Sequence, residues 1–215
     1  MNSTPADPHV ETEFKFRVPA DFELPSFPRS LGTWTTEATR NMDATYWDTT
    51  DATLLRWGIT MRTRSGGGDD GWHLKIPTPH RKQPKGASVR TELHRDPAGA
   101  TPPIEFLEML STVLQGSDVL PIARVRTERN PQALTGPSGQ IVELVDDRVT
   151  LTRNEVIVDQ FREIEIELTS ELGLPDALLI CEILRNAGAH TSSVSKAASA
   201  FGLVAKKQPD IPRLP

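Results

Sequence analysis

From Glu11 to Phe16 the chain alternates strictly. Glu11, Glu13 and Lys15 take every second position, and Thr12, Phe14 and Phe16 lie between them. A strand sends successive side chains to opposite sides, so the three charges share one face and the apolar residues the other. The pattern returns as Arg62/Arg64, Lys75, Arg90/Glu92, Arg124/Arg126 and Glu163/Glu165/Glu167, with Ile59, Met61, Leu74, Ile164 and Ile166 in the opposite phase. Strands are predicted over 9–18, 33–49, 59–65, 71–77, 87–95, 120–130, 140–151 and 156–169, eight runs in all. One charged strand face is commonly just a wet one. Many of them in one sheet enclose a surface suited to a highly charged ligand.

Helical or turn-like segments are predicted near 20–31, 51–57, 102–114 and 174–200, where Pro175-Asp176 suits a helix start and Gly188 a helix end. Gly66-Gly67-Gly68-Asp69-Asp70-Gly71 joins two strands. No helix follows it to present N-terminal amides, so it reads as a hairpin turn and not a phosphate loop. Pro77 to Gly86 reads as a mobile, solvated loop.

At 215 residues the chain builds one sizeable core, and a single domain over 9–205 is expected, with a flexible start (1–8) and a disordered tail (206–215). The net charge of −5 hides a separation of signs onto particular strands, and it argues against a nucleic-acid partner. Cys181 is the only cysteine, which excludes an internal disulfide; its apolar, helix-like setting points to a buried structural thiol. The first residues lack the basic and apolar stretches of a secretion signal, and no apolar run nears the roughly 20 residues that span a bilayer. A cytoplasmic protein with no membrane partner is the expectation. Trp34, Trp47, Trp57 and Trp72 fall among apolar positions and read as packing residues, and His73 and His94 as structural histidines.

Read in order, Glu11-Thr12-Glu13-Phe14-Lys15, Tyr46-Trp47-Asp48-Thr49, Gly58-Ile59-Thr60-Met61-Arg62-Thr63-Arg64, Gly71-Trp72-His73-Leu74-Lys75 and Arg162-Glu163-Ile164-Glu165-Ile166-Glu167-Leu168 resemble the CYTH family of triphosphate tunnel metalloenzymes, whose first signature is Glu-any-Glu-any-Lys. Agreement runs from about residue 9 to Lys196. The resemblance implies an α+β fold: an eight-stranded antiparallel closed β-barrel, the triphosphate tunnel, with helices packed outside. It also implies a metal-dependent triphosphatase, a phosphoanhydride hydrolase splitting inorganic triphosphate into pyrophosphate and phosphate.

A triphosphate concentrates negative charge on a short rod, and arginine forks match phosphate oxygens in pairs. Lys15, Arg62, Arg64, Lys75, Arg90, Arg124 and Arg126 are the expected phosphate ligands, with Lys196 matching the family's C-terminal lysine. Glu11, Glu13, Lys15 and Lys75 are the expected catalytic residues. Crowded carboxylates in a closed tunnel repel one another unless a cation joins them. Glu11, Glu13, Asp147, Glu163, Glu165 and Glu167 are the expected metal ligands, and an oxygen-only set favours Mg2+ or Mn2+. Glu143 shares a face with Asp147. The choice of Asp147 over Asp146 holds only if that strand has no bulge, and Glu92 either pairs with a neighbouring cation or binds metal. Thiamine triphosphatase, a class IV adenylyl cyclase and a non-catalytic polyphosphate-binding module remain alternatives. A lipocalin-type barrel does not fit, because it would turn Ile and Phe inward. The oligomeric state stays open.

Overall fold

The structure, a computed structural model, describes residues 8–78, 84–97, 99–136 and 139–202. The expectations of a flexible start and a disordered tail fall almost wholly outside these residues, as does the middle of the 77–86 loop.

Ten strands form one antiparallel sheet: β1 (His9–Val18), β2 (Thr33–Thr36), β3 (Arg40–Asp48), β4 (Thr60–Ser65), β5 (Gly71–Pro77), β6 (Ala87–Arg95), β7 (Leu120–Gly136), β8 (Gly139–Arg153), β9 (Val156–Leu168) and β10 (His190–Thr191). The order β1-β6-β5-β4-β3-β7-β8-β9 closes through pairing of β1 with β9, which makes an eight-stranded barrel. β2 extends β7 and β10 extends β1. The helices are α1 (Thr53–Arg56), α2 (Ile104–Met109), α3 (Ser111–Leu114), α4 (Leu174–Asn186) and α5 (Lys196–Phe201). The fold is α+β as expected.

Two sectors of the barrel wall are covered from outside. α4 lays Ala177, Ile180, Cys181 and Leu184 against Phe14, Phe16, Leu144, Ile164 and Ile166. α1, α2 and α3 bury Leu54, Phe106, Leu110 and Leu114 against Met61, Trp72, Leu74 and Leu93. There the apolar face of each strand must point out and the charged face in. In the third sector, around Asp43 of β3 and Arg124 and Arg126 of β7, no helix among the described residues lies outside. Its outer face meets water and is itself charged, with Arg124, Arg126, Glu128 and Arg148 exposed. α5 instead enters the barrel end, where Ala197 and Ala200 pack on Ala44, Tyr46, Ala123, Val125, Val149 and Leu151.

One strand run expected as a single element is broken. The run 33–49 is split because Thr36 faces Gln132 while Arg40 faces Arg129, so four steps on one strand match three on the other. That extra residue reverses the phase: Trp34 packs outside the barrel, whereas Arg40 and Met42 line its cavity. In the helical segment expected over 174–200, α4 ends at Asn186 just before Gly188, the expected helix end, which takes φ +99°, and a second helix, α5, starts at Lys196. Over 20–31 the only helical element is a 3-10 turn, Arg29–Leu31.

Candidate active site

The barrel encloses a cavity of about 670 Å3 whose lining is mostly charged. Register explains why. Across β6, β1, β9 and β8, Arg90 faces Glu11, Glu13 faces Glu167, Glu167 faces Glu143, Lys15 faces Glu165 and Glu163 faces Asp147. β4 and β5 bring Arg62, Arg64, His73 and Lys75 from the other side. Asp48, within the Tyr-Trp-Asp-Thr motif, works outside the cavity: its carboxylate accepts the backbone N–H groups of Thr49 (2.7 Å), Leu54 (2.8 Å) and Leu55 (3.0 Å), tying β3 to α1.

The acidic side divides into two groups. Asp147, Glu163 and Glu165 are buried, and one oxygen of each lies within 4.8 Å of the others. Three cations meet there. Lys196 Nζ lies 2.9 Å from Asp147 Oδ2, 3.0 Å from Glu165 Oε1 and 2.5 Å from Glu163 Oε1. Lys15 Nζ is 2.8 Å from Glu165, and Arg129 donates to both Asp147 oxygens and to Glu165. Burial works to raise Glu165, but Lys15, Lys196 and Arg129 overcome it and hold its carboxyl well below the usual range. For Glu163 burial prevails and the shift is upward. The second group is the row Glu13, Glu167 and Glu143, cross-strand neighbours of like sign. Burial, with Glu13, Glu143 and Glu165 nearby, raises Glu167 despite Lys75. Glu13 is also buried, yet Lys15 and Arg90 bring it down to about 2. Glu11 lies 2.5 Å from Lys75; burial, reinforced by Glu92 and Glu167, outweighs that lysine and pushes it up to about 8.

The basic side is less well matched. Burial, with Arg62 and Arg129 close by, pushes Arg64 down to about 9. Arg64 does pair with Asp69, and Arg62 donates to Tyr46 Oη at 3.3 Å. Even so, the Nε atoms of both arginines are buried and have no hydrogen-bond partner. A buried donor without an acceptor is costly, and an anion between these two guanidinium groups would supply one.

Most of the expected site residues converge on this cavity: Glu11, Glu13, Lys15, Arg62, Arg64, Lys75, Arg90, Glu165, Glu167 and Lys196 line it, with Asp147 and Glu163 buried behind. Arg124 and Arg126 do not. They lie on the outer surface against Asp43, with side chains 53% and 65% exposed, which corrects their expected place in the tunnel. β7 turns Val125, Thr127 and Arg129 inward, and Arg129 takes the cationic place. Sequence reading passed over Arg129 and Arg40. The signal for Arg129 was its shared phase with Val125 and Thr127 opposite the water-facing Arg124, Arg126 and Glu128. β8 keeps unbroken register from Val142 to Leu151, so Asp147 points in, whereas Asp146 pairs outside with Arg162 (2.7 Å). Glu92 is engaged by His73 (2.8 Å) and Lys75 (3.6 Å). His73 also meets the Asp69 carbonyl and, mainly through burial, falls to about 4. The glycine run is a turn, Gly66 donating to Asp70 at 2.8 Å. Cys181 is buried on the inner face of α4, and burial pushes its thiol up to about 12.

No helix among the described residues is long and apolar enough to cross a membrane. Two uncharacterized proteins of Mycobacterium tuberculosis, from strains CDC 1551 / Oshkosh and ATCC 25618 / H37Rv, are each 34% identical over 188 residues, covering 80% of this chain and 35% of the relative. The chain thus spans about a third of the length of the curated relatives it matches. Among solved structures, a candidate adenylate cyclase of Bacillus halodurans aligns at TM-score 0.56 and 18% identity, covering 91% of this chain and 99% of that one. A candidate adenylyl cyclase of Hippeastrum with a dominant triphosphatase activity aligns at TM-score 0.50 and 17% identity, covering 89% and 95%. These likenesses establish the shared barrel. The CYTH domain model matches residues 9–199; its members are generally enzymes that take small triphosphates and depend on a divalent metal. With that match spanning the whole barrel, α4 and the first residues of α5, the chain belongs to the CYTH domain family.

Proposed function

We propose that the cavity binds inorganic triphosphate and hydrolyses its terminal phosphoanhydride bond, giving pyrophosphate and phosphate. The observation that carries this reading is the pair of orphaned buried donors, Arg62 Nε and Arg64 Nε, opposite a wall of carboxylates. Anion and cation sites face each other across one cavity, as a metal-bound polyphosphate requires.

The donor set fits a divalent metal. It is oxygen-only, buried and clustered, which suits Mg2+ or Mn2+ better than Zn2+. Glu11, Glu13, Asp147, Glu163, Glu165 and Glu167 are the residues that would hold it. When bound, such an ion neutralises phosphate oxygens and lowers the pKa of a water ligand. Arg62, Arg64 and Arg90 would clamp the phosphate chain by charge-assisted bonds. Lys15 and Lys75 would stabilise charge as the bridging P–O bond breaks and its electron pair leaves on pyrophosphate. Water adds to the terminal phosphorus and gives up its proton to a wall carboxylate. Neither Ser nor Cys is required as a nucleophile.

Exclusion of a bulky nucleoside from so charged a cavity favours the inorganic substrate. Phosphate release from tripolyphosphate, thiamine triphosphate, ATP and long-chain polyphosphate, each with Mg2+ or Mn2+, tests this. Tripolyphosphate should lead ATP by at least about tenfold in kcat/KM, equivalent to roughly 1.4 kcal/mol. Cyclic AMP from ATP as the main product would replace this reading with the cyclase one, and binding without turnover with the non-catalytic one.

A further inference from the structure

The ammonium of Lys196 sits among the three carboxylates best arranged to hold a metal. It hydrogen-bonds to Asp147 Oδ2 at 2.9 Å and Glu165 Oε1 at 3.0 Å and touches Glu163 Oε1 at 2.5 Å. Glu163 Oε1 is buried, and the Lys196 ammonium is the cation nearest to it. One set of oxygens cannot surround both an ammonium and a metal ion. Charge leads the same way. With every group ionised, Asp147, Glu163 and Glu165 bring three negative charges, and Lys15, Arg129 and Lys196 answer with three positive ones. A divalent ion added to this balanced, buried group leaves an excess of positive charge, which is costly away from water.

We propose that Lys196 is a partner-switching side chain: it holds the metal's place among Asp147, Glu163 and Glu165 and leaves it only when a polyphosphate offers a second partner. This rests on the reading of the cavity as a metal and triphosphate site. The main chain need not move. Ala197 and Ala200 anchor α5 in the barrel end, while the rotatable bonds of the four-carbon Lys196 stem give its ammonium more than one reach from the same backbone. Lys196 borders the main cavity beside Arg62 and Arg64, whose Nε atoms await an acceptor, so a phosphate bound there lies within its sweep. Metal alone must evict an ammonium into a ring of cations. Metal with polyphosphate supplies the anion that receives it. Binding of the two is therefore coupled, and each tightens the other by the same factor.

The test is calorimetric titration of the full chain with Mn2+, alone and with a non-hydrolysable imido-bridged triphosphate. For the wild type, Mn2+ alone should bind weakly and the analogue should tighten it at least about tenfold, or roughly 1.4 kcal/mol of coupling. Lys196→Met should bind Mn2+ alone at least about tenfold more tightly and lose most of that coupling. Lys196→Gln, which keeps a polar group for the carboxylates, stands in if the Met variant does not fold. Mn2+ binding no tighter in a folded Lys196 variant overturns the proposal, as does tight binding that survives Asp147→Asn in the same background. If the wild type hydrolyses triphosphate but the variants show no gain, the switch fails and the function stands. If no triphosphate is hydrolysed yet the variants gain Mn2+ affinity, the function fails and the switch stands.

Discussion

Replacing Arg129 by Met, alongside Arg124 by Met, isolates burial as the variable. Both arginines grip a carboxylate with two bonds of similar length: Arg129 to Asp147 at 2.8 and 2.8 Å, Arg124 to Asp43 at 2.7 and 2.6 Å. The Arg129 and Asp147 side chains are 14% and 0% exposed, the Arg124 and Asp43 side chains 53% and 32%. Removing one partner of a buried pair costs about 3–5 kcal/mol, because the remaining charge is stranded. In a chain of this size 1 kcal/mol moves Tm by about 2–4 °C, so Arg129→Met should lower it by roughly 6–20 °C. Lys196 and Lys15 stay beside Asp147 and Glu165, which places the expected drop in the lower half of that range. Arg124→Met loses a solvated, screened pair and should melt with the wild type. Thermal melts of the metal-free proteins at neutral pH, at low and high salt, make the comparison. Equal losses in the two variants, or a wild-type melt for Arg129→Met, would refute the assignment of β7's inner face.

Arg62→Ala and Arg64→Ala should each raise KM for triphosphate or cut turnover by at least an order of magnitude, since a charge-assisted phosphate contact is worth about 1.5–3 kcal/mol, and Arg62→Lys should recover only part; steady-state kinetics near wild type for both would place the anion elsewhere. Glu11, raised from 4.5 to about 8, keeps its proton in the fold while the unfolded chain loses it, so its contribution makes the metal-free protein less stable as pH rises from about 4.5 to about 8 and is level beyond. Glu11→Gln removes that slope, so its Tm advantage over the wild type should grow across the window; a constant or shrinking difference contradicts the shift. Asp48→Ala frees the Thr49 amide and two amides in the first turn of α1 and should cost about 0.5–2 kcal/mol, seen as a lower urea midpoint with no direct effect on phosphate binding.

Side-chain alternation was enough to find β1, β4, β5, β6, β8 and β9 nearly to the residue, because a period of two survives wherever one face is buried and the other is not. The same alternation named the charged residues of those strands, and the ordered motifs implied that their ends meet. Which face of a strand looks inward is a different kind of fact. On β1, β4, β5 and β9 helices cover the outside, so charge goes to the cavity; on β7 water covers the outside, so Arg124 and Arg126 go there and Arg129 turns in. The local pattern is the same in both cases, and only what packs over the strand distinguishes them. Phase has the same origin in β3, where one extra residue after Thr36 turns Arg40 and Met42 inward, and in β8, where the absence of a bulge between Val142 and Leu151 selects Asp147 over Asp146. The meeting of Lys196 with Asp147, Glu163 and Glu165 lies furthest beyond any local signal. It depends on the break at Gly188 and on α5 entering the barrel end, contacts between segments far apart in the chain that only barrel closure brings together.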